Sequence, residues 1–277
     1  KDVILPFADF YLKGLTPNIC SYCNAEFKIE KLLQYTENFS CNYIATGHYA
    51  RKKASLIGIA KDSWKDQSFM LYRLSEKQRE KLLLPLGQKM KDEVKNFVQQ
   101  CGYEEIANKR ESFGLCFTNS KHYSEFLLEK YPELKKLDNG KVFNKNNQII
   151  GTHKGYPFYT IGQYKGLNCE GKQYINKIIA EENAIFVGEK SECYFSTLRL
   201  NSLVFSQNIE NIKKDTPYLT KIRGKDEGNF ATLREISSNH SIIEFSQRVF
   251  APMQGQDVVV YDENNFILFG GRIEAFS

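Results

Sequence analysis

The 277 residues of this chain are enough for two or three small hydrophobic cores. With 42% hydrophobic and 26% charged residues, the composition is that of a folded globular protein and excludes an intrinsically disordered chain. No stretch approaches the roughly 18 apolar residues that a membrane helix needs, so no membrane partner is expected, and a net charge of +5 permits an anionic partner without requiring one.

The first predicted elements are a helix over residues 24–39 and a short buried strand over residues 43–46. Asn24 is a good N-cap for the helix. The strand stops at Gly47 and His48. A helix followed by such a strand is typical of an α/β sheet, in which binding sites form beyond the carboxyl ends of the strands. Gly47 and His48 are therefore expected at such a site.

Three more helices are predicted before residue 130. Ser75 and Gln78 form a capping box at the start of the first of them. The next runs from about residue 91 to 101, with Gly102 as its C-terminal stop. The last covers about residues 122–129. Residues 1–118 are therefore interpreted as a helical α/β domain.

The pattern changes to short strands after residue 132, which gives the fold class α/β plus β. Strands are predicted at residues 142–143, 149–150, 159–161 and 185–187, which fall in a small central domain over 119–192. From about residue 198 the chain is almost wholly strand-like: 203–205, 218–220, 242–245, 258–261 and 266–269. Their spacing predicts a small β-barrel over residues 193–277, with a turn at 262–265 joining the last two strands as a hairpin.

Seven cysteines in so long a chain do not fit a secreted disulfide scaffold, so a reducing, cytoplasmic setting is favoured. Cys20 and Cys23 form a CxxC pair. A structural zinc site needs four ligands, and no second CxxC or HxxxH supplies the other two, so no metal is expected. A redox dithiol and two packed thiols remain as interpretations. The helix predicted after Asn24 makes Cys23 the more activated thiol.

Other candidate residues have two interpretations each. His48 is either a local hydrogen-bonding group or a catalytic one. Lys65, Asp66 and Gln67 form either a solvated turn or a set of groups for phosphates and base edges. Cys116 follows Gly114 and is either a core cysteine or a thiol on a loop that a ligand approaches closely.

Taken together, the chain resembles the tRNA-specific 2-thiouridylases, in the bacterial form of that family. The matching stretches follow one another in the family's order over nearly the whole chain. They are Gly14-Leu15-Thr16-Pro17-Asn18, Cys23-Asn24, Phe27-Lys28, Tyr43-Ile44-Ala45-Thr46-Gly47-His48-Tyr49, Lys65-Asp66-Gln67-Ser68, Gly114-Leu115-Cys116-Phe117, Gly155-Tyr156-Pro157-Phe158-Tyr159-Thr160-Ile161-Gly162-Gln163, Lys165-Gly166-Leu167, Gly255-Gln256 and Gly270-Gly271.

The resemblance implies a partial nucleotide-hydrolase-like α/β domain, a small central α+β domain and a C-terminal β-barrel. It also implies ATP with Mg²⁺ as cofactor, which adenylates the wobble uridine of a tRNA, and a persulfide that delivers sulfur to C2. Cys116 is then expected to carry the persulfide, received from a sulfur-relay or cysteine desulfurase donor protein. Cys23 is its partner, which frees the sulfur or forms a Cys23–Cys116 disulfide.

The resemblance assigns the remaining site residues by their motifs. Gly47 is expected at the nucleotide. Residues expected to contact the target base are Asn18, Ile19 and Cys20. Residues expected to contact the rest of the tRNA are His48, Lys65, Asp66, Gln67, Arg223, Gly224 and Gln256.

The chain also departs from the family. The Ser-Gly-Gly-x-Asp-Ser phosphate loop is not among these residues, so residues 1–277 alone are expected to be inactive and to bind ATP weakly. Ile19 and Cys20 stand where the family often has Pro and then Asp or Cys, and Leu15 stands where arginine is common.

Two other classes of protein remain as alternatives. A thiol–disulfide oxidoreductase would use Cys20 and Cys23 and need no RNA. A non-catalytic RNA-binding protein would need only the barrel and a basic surface.

Overall fold

The computed structural model describes residues 2–109, 114–118, 121–137 and 139–277. The α-helices in this part of the chain are α1 (Ile4–Leu12), α2 (Ile19–Cys23), α3 (Glu30–Asn38), α4 (Glu76–Lys81), α5 (Lys91–Gln100), α6 (Glu104–Asn108) and α7 (Tyr123–Lys130). The strands of the first half are β1 (Ile44–Ala45), β2 (Arg51–Lys53), β3 (Leu56–Gly58) and β4 (Leu82–Leu83). Those of the second half are β5 (Gly140–Phe143), β6 (Ile149–His153), β7 (Asn168–Cys169), β8 (Tyr174–Ile179), β9 (Ala184–Gly188), β10 (Tyr194–Phe205), β11 (Pro217–Lys221), β12 (Asn229–Ile236), β13 (His240–Phe250), β14 (Asp257–Tyr261) and β15 (Ile267–Phe276).

One uninterrupted helical rod runs from Ile19 to Asn38, because a π-helical turn over Asn24–Ile29 joins α2 to α3. The prediction that Asn24 caps the start of this helix is wrong. Asn24 has helical dihedral angles (φ −64°, ψ −46°), and its buried amide donates a hydrogen bond to the carbonyl of Met70 at 3.0 Å. The rod instead begins after Asn18, and its π-helical turn directly follows Cys23. Such turns are frequently found at functional sites.

The predicted strand at residues 43–46 is confirmed as β1, which runs parallel to β4 with Ile44 opposite Leu82. The capping box of Ser75 and Gln78 is also confirmed. Helix α4 ends at Lys81, and the leucines that follow it form β4 because Leu82 is buried in the sheet. Helices α5 and α7 lie where the sequence predicted them.

The central sheet has the strand order β7-β6-β5-β9-β8. The predicted strands at residues 142–143, 149–150 and 185–187 are confirmed as parts of β5, β6 and β9. The prediction of a strand at residues 159–161 is wrong. Tyr156–Phe158 form a short 3₁₀ turn, and Gly162 takes a left-handed φ of +84°, which breaks the extended backbone. The Tyr159 hydroxyl donates to the carbonyl of Gly166 at 2.6 Å, which anchors this loop.

The C-terminal region is a closed barrel with the order β10-β13-β12-β11-β14-β15, as predicted. Its interior is filled by apolar side chains that include Leu198, Leu233 and Val258. The turn that starts at Asp262 joins β14 to β15, and the Asp262 amide donates to the carbonyl of Phe266 at 2.7 Å. Strand β12 was not predicted, because outward-facing charged residues interrupt its apolar pattern.

The outer face of the barrel packs against the first part of the chain. Val259 and Tyr261 of β14 share a core with Ile29 and Tyr72. Gly270 of β15 lies against the Tyr72 ring, where an added Cβ would come within 2.3 Å of the ring. The barrel and the helical rod are therefore held together by one continuous apolar contact.

A further core joins α1 and α7, with Phe7, Ile19 and Leu127 among its buried members. This core includes residues from both sides of the predicted boundary at residue 118. Residue 119, where the second predicted domain begins, lies outside the described residues, and the division into three domains stays a prediction. Within the part that the structure describes, no helix is long and apolar enough to cross a membrane.

Candidate functional site

Three thiols from two distant segments of the chain lie together. Cys20 and Cys23 are nearly one turn apart on the helical rod. Leu115 and Phe117, the neighbours of Cys116 in the chain, pack on the same apolar core as Cys20, and a negative charge on Cys116 raises the pKa of both Cys20 and Cys23. All three are free thiols; Cys116 is exposed, and Cys20 and Cys23 are partly buried. The segment that carries Cys116 therefore lies in the same region of the fold as the rod that carries Cys23.

Burial has the largest effect on the pKa values of Cys20 and Cys23, and it raises both. The prediction that a helix N-terminus activates Cys23 is wrong, because Cys23 lies inside the rod, a full turn beyond its start. The cation of Lys28 acts in the opposite direction and lowers both pKa values. Sequence analysis gave Lys28 no role, although a basic residue shortly after a CxxC pair on a helix was a usable signal.

His48 belongs to the same site. Burial, with a contribution from the Lys28 cation, lowers the pKa of His48 to about 4. Its imidazole is therefore neutral near pH 7. Its Nδ1 lies 2.9 Å from the Thr46 hydroxyl. His48 can offer a hydrogen bond to a ligand but not a positive charge.

Gly47 lies exposed at the carboxyl end of β1, as expected. An added Cβ there would meet only Leu86 Cδ1, at an ordinary contact distance of 3.8 Å. The space beside Gly47 is therefore open to a ligand.

The three predicted base-contacting residues have different surroundings. Asn18 is partly buried, and its Nδ2 donates to Asp257 Oδ2 at 2.9 Å. Ile19 is 6% exposed within the core between α1 and α7, so its side chain is buried. Cys20 belongs to the group of three thiols, Cys20, Cys23 and Cys116, which is called the thiol cluster below. Asp257 was missed by sequence analysis because nothing in the local pattern of β14 distinguishes it from an ordinary first residue of a strand.

The side chains of Lys65, Asp66 and Gln67 differ in their exposure to solvent. Asp66 does not face solvent: its carboxylate is buried and pairs with Lys221 Nζ at 2.9 Å. Direct contact between the Asp66 side chain and tRNA is therefore not possible in this arrangement. Gln67 is exposed and accepts a hydrogen bond from the Tyr49 amide at 3.0 Å, and Lys65 is partly exposed.

The predicted barrel contacts border the same region. Arg223 donates to backbone carbonyls at the end of β13, and burial lowers its pKa. Gly224 lies so close to Met70 that an added Cβ would come within 2.5 Å of Met70 Cε. Gln256 Nε2 lies 3.5 Å from the carbonyl of Pro17, which precedes Asn18, the first of the residues expected to contact the target base.

Comparison with known proteins identifies the family of this chain. A family model described as the tRNA methyl transferase HUP domain matches residues 1–120, and one described as the tRNA methyl transferase PRC-barrel domain matches residues 124–189. The tRNA-specific 2-thiouridylase MnmA of Cytophaga hutchinsonii is 32% identical over 99% of this chain and 76% of its own length. The chain belongs to the tRNA-specific 2-thiouridylase family.

Two further thiouridylases show the same degree of similarity. MnmA 1 of Clostridium tetani is 34% identical over 99% of this chain and 76% of its own length. MnmA of Natranaerobius thermophilus is 35% identical over 98% of this chain and 74% of its own length. Membership of the thiouridylase family does not favour either alternative, the oxidoreductase or the non-catalytic RNA-binding protein.

Among the described residues, no group of three or more His, Cys, Asp or Glu side chains could hold a metal ion.

Proposed function

We propose that this protein is a cytoplasmic tRNA-specific 2-thiouridylase that places sulfur on C2 of the wobble uridine. The observation that carries the proposal is that the residues beside Cys116 pack on the same core as Cys20, in the first turn of the rod that also carries Cys23, although the two segments lie far apart in the chain. The relatives' printed names, which specify 2-thiouridylation of tRNA, support the same activity. The printed family-model descriptions mention methyl transfer, but a group of adjacent thiols fits sulfur transfer better.

The sulfur step that these residues can perform is a thiol–persulfide exchange. Cys116 carries an outer sulfur, received from a sulfur-relay or cysteine desulfurase donor protein. The Cys23 thiolate attacks Cys116 Sγ; the bond between Cys116 and the outer sulfur breaks, and hydrosulfide leaves. A Cys23–Cys116 disulfide remains, and a thiol reductant returns it to two thiols. Exposure of Cys116 favours its loading by another protein, and Lys28 favours the Cys23 thiolate.

The tRNA is proposed to lie across the thiol cluster and the adjoining edge of the barrel. Lys65, Gln67, Arg223 and Gln256 border this region and supply donors for phosphates and base edges. His48 adds a neutral hydrogen-bonding group. We propose that the target base approaches the thiols beside Asn18 and Cys20.

The residues present fit only part of an ATP site. Gly47 leaves open space at the end of β1, but the family's phosphate loop is not among residues 1–277. We therefore propose ATP with Mg²⁺ as the activating cofactor, with Gly47 beside the nucleotide. The inactivity of residues 1–277 alone stays part of this proposal.

The proposal is tested by substituting the thiols in the full-length protein. Cys116→Ser and Cys23→Ser should each abolish thiouridine formation, measured by nucleoside mass spectrometry. Cys41→Ser, at an exposed cysteine distant in sequence from both motifs, is the matched control and should retain activity. Normal thiouridine yield from Cys116→Ser would reject the assignment.

A second measurement separates the thiouridylase from the oxidoreductase. Mild oxidation followed by peptide mapping identifies the disulfide that forms. A Cys23–Cys116 bond supports sulfur transfer, whereas a Cys20–Cys23 bond supports a dithiol oxidoreductase.

A further inference from the structure

Asp257 is a fully buried carboxylate where the barrel meets the thiol-bearing rod. It is the first residue of β14, and the residue is 1% exposed. A carboxylate removed from water is unfavourable unless its oxygens accept hydrogen bonds. The partners of Asp257 therefore indicate why it is there.

The hydrogen-bond donors to this carboxylate come from outside the barrel. Asn18 Nδ2 lies 2.9 Å from Oδ2, and the Ser21 hydroxyl donates to the same oxygen. The Tyr72 hydroxyl is a third partner. Burial raises the pKa of Asp257, while the hydrogen bond from Ser21 and the cation of Arg73 act against that rise. The carboxylate is thus a common acceptor for the first turn of the helical rod and for Tyr72.

Two of these donors belong to the first turn of the helical rod. Asn18 is the N-cap residue, yet its side chain makes no capping hydrogen bond to its own helix, because its amide is directed to Asp257. Ser21 lies between Cys20 and Cys23 and is 1% exposed. The barrel therefore holds the first turn of the rod through two of its side chains.

The backbone of the preceding loop is held by the same edge of the barrel. The Thr16 amide donates to the carbonyl of Gln254 at 2.9 Å. Gly255 has a left-handed φ of +90°, and an added Cβ would lie 3.1 Å from both the Thr16 carbonyl oxygen and Leu15 Cβ. Residues 15–18 are thus fixed against residues 254–257 along their length.

We propose that Asp257 is a positioning residue for sulfur transfer. Through Asn18 it fixes residues 15–18 relative to the barrel, and through Ser21 it fixes the Cys23 thiol. Displacing the first turn of the rod displaces Cys20 and Cys23 with it. The expected effect of Asp257 on catalysis rests on the proposed function. The expected effect of Asp257 on the reactivity of the thiols does not.

The test uses three variants of the full-length protein. Asp257→Asn keeps the shape and one acceptor oxygen, Asp257→Leu removes all acceptors, and Ser21→Ala removes one donor. Labelling of each cysteine by iodoacetamide is followed by peptide mass spectrometry. Cys23 is expected to label at least about threefold faster in Asp257→Leu and Ser21→Ala, and less so in Asp257→Asn, because a loosened first turn exposes it.

The same variants are assayed for thiolation. Misplacement of a reacting group by a fraction of an ångström to an ångström lowers kcat, so Asp257→Leu is expected to lose about tenfold or more in kcat while KM for tRNA changes less than about threefold. Asp257→Asn should recover part of this loss. Glu263→Gln, at an exposed acid in the turn after β14, is the control and should leave both measurements unchanged.

The buried Cys193 reports loosening of the whole fold. If Cys193 labels faster in parallel with Cys23, the carboxylate serves stability alone and the proposal is overturned. Unchanged Cys23 labelling in all three variants overturns it as well. Faster Cys23 labelling with no thiolation by the unsubstituted protein supports the positioning role and rejects the proposed function.

Discussion

Lys221 Nζ of β11 lies 2.9 Å from Asp66 Oδ2, and the two side chains are 4% and 1% exposed. The carboxylate also accepts hydrogen bonds from the Ala60 amide and from the amide and hydroxyl of Ser68. This pair joins the barrel to the segment that follows β3. Because Arg223 lies two residues beyond Lys221, the pair also brings two stretches of proposed tRNA contacts together.

Breaking this ion pair should be strongly destabilising. Asp66→Asn or Lys221→Met leaves the other charge buried without its partner, so we expect the free energy of unfolding to fall by about 3–5 kcal/mol. Urea denaturation followed by circular dichroism measures the loss. The control is Asp215→Asn, which removes an exposed ion pair with Arg234 and should cost less than about 1 kcal/mol. Similar losses in both variants would contradict the assignment.

Lys28 should set the reactivity of Cys23. Its cation lowers the pKa of Cys23 against the larger effect of burial, so Lys28→Gln raises that pKa and reduces the thiolate fraction. We expect labelling of Cys23 near pH 8 to slow by about two- to threefold at low salt, with a smaller difference at high salt, because Lys28 is exposed. Lys31→Gln, on the same rod, is the matched control. An equal effect of both variants on Cys23 labelling would show that Lys28 has no specific effect on Cys23.

The structure shows which features a sequence can reveal and which depend on distant contacts. The hairpin after β14 was predictable because Asp262 and the turn residues beside it lie between two apolar strands. The start of the thiol-bearing rod was not, because a carboxylate at Asp257 and the burial of Ile19 fix it from other parts of the fold. Local propensity at Asn24 was overridden by these contacts.

Among the site residues, Asp66 illustrates the same limit. Its motif indicates a charged, exposed turn, and its partner Lys221 lies 155 positions away in the chain. No local pattern identifies such a pair. That the segments of Cys23 and Cys116 meet could be anticipated only from the family resemblance, because they come together through tertiary packing.

Binding of tRNA should depend on local clusters of basic residues, because the net charge of +5 is small. Arg223→Ala is expected to weaken tRNA binding about tenfold and to reduce the slope of log K against log salt by about one. Filter binding at several salt concentrations measures both. The control is Arg199→Ala, at an exposed arginine paired with Glu274 on the barrel. Binding that does not change with salt would contradict the proposed surface.

ATP affinity provides a test of the phosphate-loop argument. A polypeptide made of only residues 1–277 should bind ATP weakly and form no thiouridine, because the family's phosphate loop is not among these residues. Isothermal titration with ATP and Mg²⁺ measures the affinity, and tRNA binding by the same polypeptide is the control for folding. ATP-dependent thiolation by this polypeptide would locate the nucleotide site elsewhere.

The depressed pKa of His48 should make part of the protein's stability depend on pH. The pKa of His48 falls from an ordinary value of 6.5 to about 4 on folding, so the unfolded chain binds the proton more readily between these values. The contribution of the neutral His48 imidazole to the free energy of unfolding is fully present above pH 6.5 and is lost as the pH falls towards 4. Because His48 is partly exposed, the free energy of unfolding is expected to fall by roughly 1–2 kcal/mol over this pH range. Urea denaturation at pH 7 and pH 4.5 should show a smaller difference for His48→Gln than for the unsubstituted protein. His240→Gln, on the barrel, is the matched control, and an unchanged difference in His48→Gln would show that the imidazole is not held in its neutral form.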